Sequence, residues 1–330
     1  MLVPVLFIIL GFALLVKGAD FLVDGASNIA KKFHIPEIII GLTIVSIGTS
    51  MPELVVSVTS ALKGCSDMAM GNVIGSNVCN LLLILGLSTV IKPIKFQKET
   101  KFVEIPLNLA FTVLFMILCN SGLDVSKYDA VILMGLFALF IIYTILMAKE
   151  GEKNEKDNVV DSIENKGENN AEKSKNNKRI VDILKNILFI IIGVVALKFG
   201  GDLTVDNAVI IAKHFNLSEQ VISLTILAVG TSLPELVTSV MAAIKGNSDI
   251  AIGNIIGSNI FNMLLIIGVA SIINPIIYNV AYNMDLIVLM VATVVLFLFT
   301  VIPPKNEMNR LNGLIYLLMY GGYIAMLFNV

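Results

Sequence analysis

Charged residues are scarce in this chain, and cysteine is rare. Of its 330 residues, 15% are charged and 56% are hydrophobic, with a mean hydropathy of +0.88. A soluble domain of this length needs far more polar surface, so most of the chain must contact lipid. The three cysteines, Cys65, Cys79 and Cys119, lack the CxxC spacing of redox and zinc sites. We expect them to be small apolar packing residues.

The first apolar stretch lacks the features of a removable signal peptide. No Lys or Arg precedes MLVPVLFIILGFALLV, and no small-residue cleavage pattern follows it. Ten apolar stretches each approach or exceed the roughly 20 residues that a membrane-spanning helix needs. The sequence therefore predicts an all-α integral membrane protein with ten transmembrane helices, at residues 2–25, 36–62, 67–91, 102–119, 126–148, 180–206, 218–244, 249–273, 284–301 and 311–329.

Basic residues are few on one side of this ten-span arrangement. If the N-terminus is outside, only four lysines lie outside, namely Lys63, Lys127, Lys198 and Lys213. The other 19 of the 23 lysines and arginines then lie on the cytoplasmic side. Because cytoplasmic loops are enriched in Lys and Arg, we expect a multi-pass protein of the cell membrane with both termini outside.

The chain contains an internal duplication. A shift of 182 residues aligns 35–87 with 217–269 without a gap, with 31 identities in 53 positions. Chance similarity between apolar helices would match Ile and Leu, whereas here the Gly, Ser, Thr, Asn, Pro and Glu positions match. We divide the chain accordingly into a five-helix half at 1–148 with its repeat at about 35–91, and a second half at 180–330 with its repeat at about 217–273.

The two halves should have opposite orientations in the membrane. Matched helices are five spans apart in the predicted order, and five crossings reverse the direction of the chain. Inverted repeats are typical of secondary transporters, which bind their substrates near the midplane between the two copies. We therefore expect two inverted five-helix repeats, related by the internal duplication.

Residues 149–179, between the halves, differ from the rest of the chain. They are rich in Lys, Glu and Asn and contain no aromatic residue. Such a segment cannot bury enough apolar surface to offset its chain entropy, so we expect a disordered cytoplasmic linker. A membrane receptor or scaffold would need a folded module outside the membrane, and this linker is the longest loop in the predicted arrangement.

Each copy has a proline followed by a glutamate inside an apolar helix, in IGTSMPELVVS (47–57) and VGTSLPELVTS (229–239). Proline removes a backbone hydrogen bond and crowds the carbonyl four residues earlier. Pro52 should therefore break its helix near Gly48. Carbonyl oxygens without partners are tolerated in a membrane only where they face protein or a water-filled cavity.

Glu53 and Glu235 directly follow the two prolines. A carboxylate inside the bilayer is costly unless something pairs with it, and no Lys, Arg or His lies near either glutamate in the matching helices. The remaining partners are a proton or a bound cation. Two glutamates brought together between the repeats would repel one another when ionised, and would favour binding of a divalent ion or several monovalent ions.

The second part of each repeat supplies further oxygen atoms. GNVIGSNVCN (71–80) and GNIIGSNIFN (253–262) combine paired glycines, which allow close helix packing, with regularly spaced Asn and Ser. Carboxylate, amide, hydroxyl and carbonyl oxygens suit hard cations such as Ca²⁺ and Na⁺. The polar residues are Asn72, Ser76, Asn77 and Asn80, with their counterparts Asn254, Ser258, Asn259 and Asn262.

These motifs, GTSMPELVVS…GNVIGSN and GTSLPELVTS…GNIIGSN, resemble the two alpha-repeats of the sodium/calcium exchangers, within the calcium:cation antiporter superfamily. The resemblance covers the chain except for the linker. It implies a ten-helix antiporter that exports Ca²⁺ by admitting Na⁺ through alternating access, with the first and sixth helices sliding across the core. It implies no enzymatic activity, no cofactor and no obligatory protein or nucleic-acid partner besides the two ions and the lipid bilayer.

The resemblance also implies roles for individual residues. Glu53 and Glu235 would bind Ca²⁺ and Na⁺ in turn. Backbone carbonyls would come from Thr49, Thr231, Ser46 and Ala228. Side-chain oxygens would come from Ser50, Ser76, Ser232, Ser258, Asn80 and Asn262. Supporting positions would be Asn72, Asn77, Asn254 and Asn259, with Gly48, Pro52, Gly230 and Pro234 at the helix breaks.

Two other couplings fit the same scaffold. Potassium-dependent exchangers carry Asp where this chain has Asn262, so this site has two fixed carboxylates and potassium dependence is less favoured. Proton-coupled relatives usually have an acidic residue in the second motif, where this chain reads GSN. Sodium is therefore favoured over a Ca²⁺/H⁺ antiporter. Two carboxylates balance one Ca²⁺, whereas a third Na⁺ would leave the loaded site positive, so we expect an electrogenic cycle.

Four further aspartates also match between the halves. Asp20 and Asp24 align with Asp202 and Asp206, near the ends of the first and sixth predicted helices. Each pair is four residues apart and so shares a helix face. Capping at the membrane interface is favoured, and guidance of ions into the access paths is the alternative.

Overall fold

The computed structural model describes residues 2–163, 172–215, 228–303 and 306–328, which are almost entirely helical. The helices are α1 (Leu2–Phe33), α2 (Glu37–Thr49), α3 (Met51–Leu62), α4 (Ser66–Ile91), α5 (Thr100–Gly122), α6 (Lys127–Ile163), α7 (Glu172–His214), α8 (Ala228–Thr231), α9 (Leu233–Lys245), α10 (Ser248–Ile273), α11 (Tyr282–Val301) and α12 (Arg310–Phe328). Two short antiparallel ladders join β1 (Ile94–Lys95) to β4 (Glu307–Met308) and β2 (Asp124–Val125) to β3 (Ile276–Ile277).

The helices have the length and apolarity of membrane spans. Within the described ranges, seven helices are long and apolar enough to cross a bilayer, or eight if the bent pair α2–α3 is one span. The chain therefore has an all-helical, membrane-type fold. The predicted span at 218–244 lies partly outside the described residues, which resume at 228. Helix α12 is not one of the seven. The count of ten therefore stays a prediction.

Helices α4 and α10 form the centre of the structure. The most apolar parts of α4 and α10 are 72% and 83% buried. The corresponding parts of α1, α6 and α7 are only 22% buried, so these helices have surfaces left to face lipid. Each central helix contains one wider π-type turn, at Cys79–Ile84 in α4 and at Asn262–Ile266 in α10. Such turns are frequent at functional sites, because they displace side chains from the regular helical faces.

A helix break divides α2 from α3 at Ser50, where the backbone leaves the helical region (φ −83°, ψ 10°) and the axis bends by 50°. Pro52 has no N–H to continue the ladder, which explains the interruption just before it. The second copy repeats the break between α8 and α9 at Ser232 (φ −86°, ψ 6°), ahead of Pro234.

Matched helices α1 and α7 pack together in antiparallel orientation through glycines. A Cβ atom added at Gly11 would lie 2.8 Å from the carbonyl oxygen of Gly200, and one at Gly18 would lie 2.9 Å from that of Gly193. Contacts move backward along α7 as they move forward along α1, so the helices are antiparallel. Only glycine permits this backbone approach, which is a common way to pack helices in membranes.

Three expectations from the sequence differ from the structure. Cys65 is exposed in the turn before α4, so it is not a packing residue, although Cys79 and Cys119 are buried. Asp20 and Asp24 lie well inside α1, which continues to Phe33, so they do not cap a helix end.

The backbone of α6 and α7 is also helical within the segment expected to be a disordered linker, at 149–163 and 172–179. Glu and Lys have high helix propensity, which explains this difference from an irregular chain. Residues 164–171 of the linker, and 217–227 of the second repeat, lie outside the described residues.

Candidate cation site

Glu53 begins the structure's central polar cluster. It lies in the first turn of α3, directly after the break at Ser50, and is 1% exposed. Its Oε1 atom accepts hydrogen bonds from Ser232 Oγ at 3.4 Å and Ser76 Oγ at 3.5 Å. Ser232 Oγ also contacts Ser76 Oγ at 3.2 Å. The first glutamate is therefore bound by hydroxyls from both copies.

Glu235 has the matching position at the start of α9 and is also 1% exposed. Its Oε1 atom accepts a hydrogen bond from Ser50 Oγ at 2.8 Å, and Ser50 Oγ lies 2.9 Å from Ser258 Oγ. Each glutamate is thus contacted by the serine that precedes the proline of the opposite repeat. The break in one copy therefore supplies a donor to the carboxylate of the other.

Both glutamates have a carboxylate oxygen without a hydrogen-bond partner. Glu53 Oε2 and Glu235 Oε2 are buried and accept no hydrogen bond from the described residues. Within the same residues, neither carboxylate forms an ion pair with Lys, Arg or His. Buried acceptors of this kind are costly unless a proton or cation satisfies them.

Asn72 holds the backbone of the first glutamate. Its Nδ2 atom donates to the carbonyl oxygen of Glu53 at 3.1 Å and to Ser57 Oγ at 2.9 Å. Asn72 therefore fixes the first turns of α3, the helix that carries Glu53. Ser57 was not predicted, although the repeat itself contains the signal, since VVS and VTS match at this position.

Asn254 makes the same pair of contacts in the second copy. Its Nδ2 atom donates to the carbonyl oxygen of Glu235 at 3.4 Å and to Ser239 Oγ at 2.9 Å, and its Oδ1 atom accepts from Thr49 Oγ1 at 3.0 Å. Ser239, like its counterpart Ser57, was missed from the sequence. Thr49 thereby joins the helix break of one repeat to α10 of the other.

Four asparagines connect α4 and α10 at the centre. Asn77 Nδ2 donates to the carbonyl of Asn259 at 3.1 Å, and Asn259 Nδ2 donates to that of Asn77 at 3.3 Å. Asn80 Nδ2 donates to Asn259 Oδ1 at 3.1 Å, and Asn262 Nδ2 donates to Asn77 Oδ1 at 3.0 Å. The Oδ1 atoms of Asn80 and Asn262 are buried and accept no hydrogen bond from described residues, which leaves two more oxygens for a cation.

Ser46 makes its described hydrogen bonds within its own helix, and the proposed role of its carbonyl stays a prediction. Its carbonyl accepts hydrogen bonds from the Ser50 backbone N–H at 3.0 Å and Thr49 Oγ1 at 3.3 Å, while its hydroxyl donates to the carbonyl of Leu42 at 2.8 Å. Its carbonyl and hydroxyl are therefore occupied within its own helix. Ala228 begins α8, three residues before Thr231, and the proposed role of its carbonyl stays a prediction.

A cavity of about 720 Å³ leads to the cluster from one side. It lies between α3 and α7 and reaches the residues beside Glu53. Its polar and charged lining residues include Asn72, Ser76, Thr231, Asp67, Asp202, Asp206, Asp285 and Lys198. The cavity is also lined by Gly230, the counterpart of Gly48, and by the two motif prolines, Pro52 and Pro234. Acidic residues outnumber basic ones along this path, which favours the entry of cations.

The cluster consists of carboxylate, hydroxyl and amide oxygens. In the described ranges, no three His, Cys, Asp or Glu side chains come together as in a typical protein metal centre, so the two glutamates are the only charged ligands of this cluster. The oxygens suit a hard cation, and the small number of charges suits an ion that is released again.

Comparisons with known proteins identify the family of the chain. The family model "Sodium/calcium exchanger protein" matches residues 3–146 and 185–329. The inner membrane protein YrbG of Escherichia coli is 35% identical over 99% of this chain and 96% of its own. The sodium/calcium exchanger MaX1 of Methanosarcina acetivorans is 32% identical, with 98% of each covered.

Solved structures of the sodium-calcium exchanger NCX_Mj are also similar. The crystal soaked with 10 mM Na⁺ and zero Ca²⁺ is 30% identical, with a TM-score of 0.82 and 98% of each chain covered. The crystal soaked with 2.5 mM Na⁺ and 0.1 mM Ca²⁺ is 31% identical, with a TM-score of 0.81. Fold, repeated motifs and family model therefore agree, and the chain belongs to the sodium/calcium exchanger family.

Proposed function

We propose that this protein exchanges Na⁺ for Ca²⁺ across the cell membrane and that Glu53 and Glu235 bind both ions in turn. The observation that carries the proposal is that each buried glutamate keeps one oxygen free of hydrogen bonds. Around these oxygens stand hydroxyls and amides from both copies of the repeat. Two carboxylates balance the charge of one Ca²⁺, and the same oxygens suit Na⁺.

Shared ligands would couple the two ions. A site that holds either Ca²⁺ or Na⁺ carries one ion inward and the other outward, and so acts as an antiporter without an enzymatic step or a resident cofactor. Three Na⁺ would leave one positive charge on the loaded site. Exchange would then be electrogenic, with each net charge contributing about 2.3 kcal/mol per 100 mV.

Alternating access would follow from two inverted five-helix halves. The antiparallel packing of matched helices α1 and α7 supports the inversion. In this proposal ten helices cross the membrane, both termini are outside, and the linker at 149–179 is cytoplasmic. The cavity beside Glu53 would be the access path on the outer side, and no partner protein is required.

Ca²⁺/H⁺ antiport is the second candidate. The free carboxylate oxygens of Glu53 and Glu235 can accept a proton as readily as Na⁺. A potassium-dependent exchanger is less favoured, because Asn262 supplies an amide at the position where those relatives carry Asp. Neither alternative changes the residues at the centre of the site.

Radioactive Ca²⁺ uptake into vesicles separates these possibilities. Purified protein would be reconstituted into vesicles that are loaded with Na⁺ and then diluted into ⁴⁵Ca²⁺ with an outward Na⁺ gradient, a pH gradient or neither. We expect uptake with the Na⁺ gradient alone, without added K⁺. Uptake with the pH gradient alone would overturn the sodium proposal, and a requirement for K⁺ would support the third candidate.

A further inference from the structure

Lys245, the last residue of α9, contacts α1 through its ammonium group. Lys245 Nζ lies 2.5 Å from Asp20 Oδ1 and 2.6 Å from Asp24 Oδ1, and it donates to the carbonyl of Asp20 at 3.2 Å. Asp20 and Asp24 are one helical turn apart, so both carboxylates face the same point on α9. These three residues are called the Lys245 cluster below.

The repeat contains a second copy of the same three residues. At the offset of 182, Lys63 corresponds to Lys245, and Asp202 and Asp206 correspond to the two aspartates. Lys63 is exposed and forms no ion pair with the part of the chain that the structure describes. Asp202 instead pairs with Lys198 of its own helix at 2.7 Å. The second set of residues is therefore present but separated.

The helices that carry these residues show the same difference. α1 packs along α9, whereas their counterparts α7 and α3 make at most marginal contact within the described residues. The cavity lies between α7 and α3, with Val205 and Asp206 on one wall and Val56 on the other. The pair α1 and α9 is therefore closed around its lysine and aspartates, whereas the matched pair α7 and α3 is separated by the cavity.

We propose that Lys245 is a positioning residue that holds α1 against α9 while the cavity is open. Lys63 makes the equivalent contact with Asp202 and Asp206 when α7 approaches α3 and the cavity closes. This inference rests on the proposed alternating access and adds the residues that bias it. While the cavity is open, Asp20 and Asp24 therefore connect α1 to α9 and do not line the cavity.

The strength of the contact suits a reversible device. The side chains of Lys245, Asp20 and Asp24 are 22%, 31% and 50% exposed, so solvent screens their attraction. Partly exposed ion pairs shift an equilibrium by small factors rather than fixing one state. A cluster of this kind can stabilise one conformation and still open within a transport cycle.

Thiol labelling of the cavity tests the proposal without any ion flux. The full chain would carry Cys65→Ser, Cys79→Ala and Cys119→Ala, with Val56→Cys as the only thiol in the cavity wall. The rate of reaction with a neutral maleimide then reports the fraction of molecules with an open cavity. We expect Lys245→Met to lower this rate by up to about fivefold, in line with screened ion pairs.

Matched variants distinguish the cluster from a general loss of charge. Lys63→Met should leave the rate unchanged or raise it, and Lys95→Met, an exposed lysine at the same end as Lys245, should leave it unchanged. An unchanged rate in Lys245→Met, or an equal decrease in Lys63→Met, would overturn the proposal.

Screening supplies a second readout if Lys245→Met folds poorly. One molar choline chloride should slow labelling of the Lys63→Met variant, in which Lys245 is the only one of the two matched lysines left for salt to screen, because the Debye length falls to about 3 Å. A rate independent of salt would contradict the role of the cluster. Failure of either test would leave the vesicle assay for Na⁺/Ca²⁺ exchange unaffected, so the two proposals fail separately.

Discussion

The two copies of the repeat have the same contacts in one layer of the site and different contacts in another. Asn77 and Asn259 exchange hydrogen bonds at 3.1 and 3.3 Å, so the asparagine layer is nearly symmetric. Around the carboxylates the symmetry is lost. Glu235 accepts from Ser50 at 2.8 Å, whereas Glu53 accepts from the matching Ser232 at 3.4 Å.

This difference follows the position of the cavity. Ser76 and Thr231, beside Glu53, line the cavity, whereas Ser50 and Ser258, beside Glu235, do not. The symmetric layer therefore acts as a frame that joins the copies, and the asymmetric layer lies where only one of the two copies borders the cavity. Variants made in matched pairs can test this distinction.

Loss of either carboxylate should have the largest effect and should not distinguish the copies. Glu53→Gln and Glu235→Gln preserve shape and remove the charge that balances the ion. We expect each to reduce exchange in vesicles by at least about 100-fold, since removing one partner of a buried charge pair costs about 3–5 kcal/mol. Thermal unfolding should stay within a few degrees of the native protein. Full exchange by either variant would refute the assigned site.

Substitution in the asparagine frame should reduce stability equally in both copies. Asn77→Ala removes a donor to the carbonyl of Asn259 and an acceptor for Asn262, and Asn259→Ala removes the corresponding pair. Each buried group left without a partner costs about 1–3 kcal/mol. We expect similar decreases in the thermal unfolding midpoint of the two variants. A large difference between them would show that the frame is not symmetric.

The serines two residues before the prolines should differ in their effect on Ca²⁺ binding. Ser50→Ala removes the 2.8 Å contact to Glu235, whereas Ser232→Ala removes the longer 3.4 Å contact to Glu53. Hydrogen bonds to charged groups contribute about 1.5–3 kcal/mol, so Ser50→Ala should weaken Ca²⁺ binding about tenfold. Ser232→Ala should weaken it less. Equal losses in equilibrium binding would contradict the asymmetry described above.

The smallest effect should come from Gly75, one member of a matched pair of glycines. A Cβ atom at Gly257 would lie 2.7 Å from the carbonyl oxygen of Leu42, whereas one at Gly75 would meet nothing within 4 Å. Gly257→Ala should lower the free energy of unfolding by about 1–3 kcal/mol through overpacking. Gly75→Ala should be neutral or stabilise by up to about 1 kcal/mol, because alanine favours helix. Denaturation of both variants in detergent would test this order.

Much of the polar cluster was predictable because the duplication marks polar residues that lipid would otherwise exclude. Pro52 accounts for the break at Ser50, and the matched Asn and Ser positions lie where α4 meets α10. Partner choice was not predictable. A sequence does not reveal that Asn72 reaches Ser57, or that Ser50 crosses to the opposite glutamate, because these pairs depend on helix rotation and the π-type turns.

The open side could not be predicted for a different reason. The two repeats carry the same polar motifs, with 31 identities in 53 positions, so their sequence does not say which side is open. In the structure Lys245 contacts Asp20 and Asp24, whereas its counterpart Lys63 forms no described ion pair with Asp202 or Asp206. Helix ends were also uncertain, because α1 continues through its charged residues to Phe33.

Equilibrium binding of ⁴⁵Ca²⁺ to the purified protein tests the central claim most directly, namely that Glu53 and Glu235 together form one cation site. We predict one Ca²⁺ bound per chain, displaced by Na⁺, and lost in both Glu53→Gln and Glu235→Gln. Ca²⁺ binding that persists at native affinity in either variant would contradict the account.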